Sequence, residues 1–106
     1  MPNTRLLSRR LRVVRGPTLT WLTPLSGRCL RRTAQLAVSA GATKRIRAVR
    51  FFDGKRQVKV VRRGAAGLYI TSWRTRGVKP GRHQLRAVLQ AGSQRAEATR
   101  TVRVCR

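Results

Sequence analysis

Few side chains in this sequence could do chemistry. Its 106 residues include one Asp (Asp53), one Glu (Glu97), one His (His83) and two Cys (Cys29 and Cys105), against 26 Lys and Arg. Catalysis by paired carboxylates needs two acids a few ångströms apart with different proton affinities, and Asp53 and Glu97 are the one pair available. A Ser-His-Asp set can be written from Ser72 or Ser93 with His83 and Asp53, but no nucleophile elbow surrounds either serine. Zinc takes three or four ligands. With His83, Cys29 and Cys105 as the nitrogen and sulfur candidates, a carboxylate would have to complete such a site. Gly64-Ala65-Ala66-Gly67 lacks the Lys-Ser/Thr of a phosphate loop and has no helix to open. The expectation is a protein with no catalytic residues, metal or cofactor, in which His83 sits half-buried with a ring nitrogen on a loop carbonyl.

What the chain has in abundance is positive charge. The formal net charge is +24, and the cations are 22 Arg and 4 Lys. Arg suits bidentate phosphate contacts, although a GC-rich genome produces the same skew. A surface almost without acids repels itself and attracts polyanions. Arg45, Arg47, Arg50, Arg62, Arg63, Arg74, Arg76, Arg82 and Arg86 fall on expected strands and turns, where outward positions of adjacent strands could align them into one basic face. Phe52 and Trp21 are the aromatics not evidently needed inside. Binding of nucleic acid or another anionic polymer would therefore be electrostatic and indifferent to sequence.

The elements that must position these residues read as strands. No stretch approaches the roughly 18 to 20 apolar residues of a membrane-spanning helix. Residues 1–15 are basic, with Leu7, Leu11 and Val14 at helical spacing and Pro17 as a stop. Ser8-Arg9-Arg10-Leu11 has the look of a twin-arginine signal, but Arg12 and Arg15 interrupt the apolar region that should follow. Residues 1–24 are thus expected to be a basic, flexible leader with an edge strand at 18–22, and residues 25–106 a single domain. Within that domain, alternation marks strands at 31–39, 46–52, 57–61, 68–73, 83–89 and 96–104. Asp53-Gly54 supplies a hairpin turn, Pro80-Gly81 a type II turn, and Gly92-Ser93 a third reversal. The inward residues are Leu36, Val38, Val49, Phe51, Tyr69, Trp73, Leu85, Ala87, Leu89, Val102 and Val104. The last strand also turns Arg100 inward, a conflict that a bulge or a switch of sheet would resolve. Seven strands about ten residues apart indicate an all-β protein, a β-sandwich of antiparallel strands.

Three stretches resemble a known family: Val49-Arg50-Phe51-Phe52-Asp53-Gly54-Lys55, Tyr69-Ile70-Thr71-Ser72-Trp73, and Lys79-Pro80-Gly81-Arg82-His83-Gln84-Leu85-Arg86-Ala87. Together with the Val-rich strand Thr101 to Val104, they are similar to motifs of bacterial immunoglobulin-like domains. The resemblance covers roughly Leu25 to Val104. It implies an immunoglobulin-like β-sandwich acting as a non-enzymatic structural or adhesive module of a larger exported or surface protein. Its partners would be other domains of a parent chain or cell-surface components, and its location extracellular or at the cell surface. A stand-alone basic protein that binds nucleic acid or another polyanion, in the cytoplasm, is the alternative.

The cysteines bear on this choice. In an up-and-down count of seven antiparallel strands, the start of the second (Cys29) and the end of the seventh (Cys105) share a pole, so a disulfide can form. Two unrelated thiols in a cytosolic chain are the other reading.

Overall fold

The computed structural model describes residues 16–105. The leader expected over residues 1–15 lies outside the described residues. Eight strands follow one another: β1 (Thr18–Thr23), β2 (Cys29–Leu30), β3 (Thr33–Gly41), β4 (Ala48–Asp53), β5 (Arg56–Val61), β6 (Leu68–Arg74), β7 (Gly81–Ala91) and β8 (Gln94–Val104). They form two sheets, one ordered β1-β3-β6 and the other β2-β8-β7-β4-β5. The fold is all-β, two sheets face to face. No helix among the described residues is long and apolar enough to cross a membrane.

Period-two alternation places the interior. Leu36 and Val38 of β3, Tyr69 and Trp73 of β6 and Trp21 of β1 meet Val49, Phe51, Leu85, Ala87, Val102 and Val104 from the opposing sheet. Leu89 is fully buried as well. Burying side chains of this size contributes about 1.5 to 3 kcal/mol each, which makes the contact between sheets the main source of stability.

Hairpins set the register. β4 and β5 turn through Gly54-Lys55, with Asp53 opposite Arg56 and Gly54 at φ 61°. β7 and β8 turn through Gly92-Ser93, with Ala91 opposite Gln94. The type II turn expected at Pro80-Gly81 is displaced: the chain reverses over Thr75 to Val78, where the Val78 N–H donates to the Thr75 carbonyl (3.0 Å) and Gly77 takes φ 81°. Gly81 instead opens β7, paired with Val104.

Trp21 corrects the expectation that it lies outside. It is 5 % exposed and meets Phe51 edge-on, with ring centroids 5.6 Å apart. Its Nε1–H donates to the Ala98 carbonyl at 3.0 Å. A buried indole requires such an acceptor, and β8, in the opposing sheet, supplies it through the Ala98 carbonyl. The strand at 18–23 is the edge of the three-stranded sheet, paired with β3.

Arg100 is accommodated by neither a bulge nor a sheet switch. The β7–β8 ladder keeps one register from Gly81↔Val104 to Ala91↔Gln94. Arg100 keeps the inward parity of Val102 and Val104, and its guanidinium donates to the Trp21 carbonyl at 3.1 Å. With the Trp21–Ala98 bond this laces the two sheets in both directions.

Cys29 and Cys105 are disulfide-bonded, with Cα atoms 5.7 Å apart. The pole assignment agrees with the up-and-down count, but the local cause is different. Cys29 belongs to β2, which the alternation did not show. β2 runs parallel to the end of β8, with Cys29 opposite Arg103 and Leu30 opposite Val104. The bridge closes 76 residues of separation, so by the loop-entropy relation it should contribute about 4 kcal/mol. Replacing both cysteines by serine is expected to lower unfolding stability by about that amount, read from urea titration. The native protein unfolded without reductant should yield no reactive thiol; two reactive thiols would contradict the bridge.

Candidate functional site

The lower pole, where β4 and β8 end and β7 begins, holds the one cluster with acid-base character among the described residues. His83 is the third residue of β7 and shares the inward parity of Leu85, which is paired with Asp53 at the end of β4. This register makes His83 and Asp53 diagonal neighbours. Their side chains are 15 % and 18 % exposed. Nδ1 lies 2.8 Å and 3.0 Å from the two Asp53 carboxylate oxygens, and Nε2 lies 2.6 Å from the Lys79 carbonyl. The Trp73 ring stands edge-on at 6.3 Å.

Both ring nitrogens thus face groups that only accept hydrogen bonds. Both bonds form when the ring carries both protons, the imidazolium. The His83 pKa is raised above its usual 6.5. Burial is the largest single influence and lowers it, but the Lys79 carbonyl, the Asp53 hydrogen bond and the Asp53 charge together outweigh burial. The cluster therefore acts as a charged clamp joining the β6–β7 connection to the end of β4.

As chemistry the clamp lacks a nucleophile. Ser93 is in the turn at the far end of β7, and Ser72 is on the exposed side of β6, opposite in parity to buried Trp73. Among the described residues no three His, Cys, Asp or Glu side chains come together as a metal site would require. The loop carbonyl on His83 was legible in the sequence. The Asp53 partner was not, because Asp53 reads there as a turn residue.

The nine arginines singled out for polyanion contact are divided among three places. Arg45, Arg47, Arg62 and Arg63 lie with Lys44 around adjoining concavities at the upper pole, where β3, β5 and β7 end. Arg74 and Arg76 are at the lower pole, beside Arg31 and Arg32. Arg50, Arg82 and Arg86 project from the outer face of the five-stranded sheet. There Arg86 stacks over Phe52 at 4.5 Å. Glu97 takes Arg95 at 2.8 Å and Arg86 at 3.7 Å, and Arg50 donates to Gln57 at 3.4 Å. One continuous basic face does not form, because strand alternation sends some of these residues outward while others belong to loops at opposite ends.

No family model matches the sequence, and no curated protein matches it. Solved structures do. The fibronectin(III)-like modules of Clostridium thermocellum CbhA superpose with a TM-score of 0.69 at 19 % identity, over 82 % of this chain and 94 % of that one. The fold resembles such modules. Titin M4 aligns at a TM-score of 0.56 and 14 % identity, covering 86 % of this chain and 97 % of that one. The endo-beta-1,4-mannanase of Thermotoga petrophila gives a TM-score of 0.75 at 12 % identity, over 87 % of this chain. The chain spans only 20 % of that enzyme's length. At these identities the likeness is one of fold alone.

The clamp has a consequence for stability against pH. His83 is the chain's one histidine and both cysteines are bonded, so no other side chain has an ordinary pKa between about 5.5 and 8. A raised folded-state pKa gives stabilisation that is complete below the unfolded value of about 6.5 and is lost as pH rises through the folded value. The urea midpoint should fall over that interval, and Asp53→Asn should flatten the fall. A midpoint that rises with pH there, or an unchanged slope in Asp53→Asn, would contradict the clamp.

Proposed function

We propose that this chain is a non-enzymatic immunoglobulin-like module serving a structural or adhesive role within a larger exported or surface protein. The observation that carries the proposal is the use made of the reactive residues. The one histidine and one aspartate are joined to each other and to a turn, and both cysteines are spent on a cross-link. All are occupied in holding strands together. The strand arrangement supports the immunoglobulin-like description: β1, β3 and β6 in one sheet face β5, β4, β7 and β8 in the other, with β2 as a short parallel addition. The overlap with a structure of fibronectin(III)-like modules, over 94 % of that chain, supports a modular unit.

The disulfide favours an oxidising compartment, since cytosolic thiols are kept reduced. Within a parent chain, neighbouring domains would be its first partners and cell-surface components its next. The test is to probe the native organism with an antibody raised against the folded domain. The expected result is a species well above 12.0 kDa in the extracellular or surface fraction, with the bridge oxidised. A 12.0 kDa species confined to the cytosol with two free thiols would contradict the proposal.

A further inference from the structure

We propose that the upper pole, through Lys44, Arg45, Arg47, Arg62 and Arg63, docks the phosphate backbone of duplex nucleic acid without reading its sequence. This goes beyond the module assignment and stands independently of it. The first observation is the local charge. Two concavities share Lys44, Arg45, Ile46 and Arg62, and the two acidic side chains are engaged elsewhere, Asp53 by His83 and Glu97 by Arg95 and Arg86. None of the five cations has an ion-pair partner among the described residues. The lower pole also carries arginines, but it holds Asp53.

The second observation is that the cations sit on braced loops. The Arg47 N–H donates to the Gln90 carbonyl at 2.8 Å, the Thr43 hydroxyl donates to Gln94 Oε1 at 3.3 Å, and Ile46 packs on the core. The loop carrying Arg62 and Arg63 is drawn close by Gly64, where a Cβ would stand 2.9 Å from the Tyr69 ring. Lys44 lays its stem against Gly92, whose added Cβ would meet the Lys44 Cδ at 3.0 Å. Loops already held in place lose less freedom when a ligand arrives.

The third observation is the kind of side chain present. Four of the five are Arg, whose planar fork matches two phosphate oxygens. Tyr69 is the sole aromatic lining these concavities and is 7 % exposed, so no platform is offered to unpaired bases. Ile46 is half-buried against the core, which leaves little apolar surface to enter a bilayer. The chemistry that remains is charge set against a phosphodiester backbone.

Fluorescence anisotropy with the full chain and a labelled 24-bp random-sequence duplex, titrated across NaCl, tests this. Variant K44Q/R45Q/R47Q/R62Q/R63Q is compared with R31Q/R32Q/R74Q/R76Q/K79Q, which removes equal charge from the lower pole, after matched circular dichroism. Each lost phosphate contact should lower the salt slope by about 0.9. The upper-pole variant should therefore lose at least about tenfold more affinity at 100 mM salt than its counterpart. Duplexes of different sequence should bind within about twofold of one another. Equal losses in the two variants, a strong sequence preference, or tighter upper-pole binding to phosphatidylglycerol vesicles than to duplex would each overturn the proposal. Phenylglyoxal modification of the unaltered protein gives an answer that needs no variant to fold. Duplex should protect Arg45, Arg47, Arg62 and Arg63 while Arg31, Arg74 and Arg76 react, and the reverse pattern would overturn the assignment.

Discussion

Self-repulsion among cations is the constraint to which the rest of the structure answers. With +24 formal charges and two acids, ion pairs can compensate only a small part of the charge, so stability must come from elsewhere. It comes from the apolar layer between the sheets and from covalent closure. Trp21, Leu36, Val38, Tyr69 and Trp73 face Phe51, Val49, Leu85, Ala87, Val102 and Val104, while the described cations stay half-buried or exposed. A period-two pattern suits this division: alternate residues of one strand fill the core and the others carry charge to solvent.

The flank of β8 is where this division is most exposed to failure. A strand beside water presents unpaired backbone groups that invite other chains. Here Gly27 N–H satisfies the Thr101 carbonyl, and the Arg28 carbonyl accepts from Arg103 N–H. The disulfide then fixes β2 beside the end of β8. The inward Arg100 keeps its guanidinium on the Trp21 carbonyl. A residue that breaks the apolar pattern in one dimension thus becomes a cross-sheet tie in three.

How much of this was legible depended on the range of the interaction that decides each feature. Most local signals held: the chain turns at Gly54 and Gly92, each at φ 61°, and alternation in β3, β4 and β7 marks the inward side, whereas the Pro80-Gly81 signal did not mark the turn that precedes β7. Features set by distant partners were hidden. Two residues of β2 carry no period, and their strand identity exists only through pairing with Arg103 and Val104. Trp21 was legible as an edge-strand aromatic, but its acceptor lies 77 residues away. The His83–Asp53 contact follows from the β4–β7 register, which no single segment encodes. The arginines could be assigned to strands and turns, yet their grouping at the upper pole requires knowing that residues 44–47 and 62–64 share one end of the molecule.

The module and the basic pole are compatible on physical grounds, because the inside of the molecule supports the fold and its outside is free to meet other molecules. The account rests on an apolar interior outweighing the repulsion of an uncompensated exterior. The most direct measurement is the thermal midpoint as NaCl is raised from low to high concentration. Screening weakens repulsion more in the compact state than in the unfolded chain, so the midpoint should climb. A midpoint that drops with added salt would mean that attractive ion pairs hold the protein together, and would contradict the account.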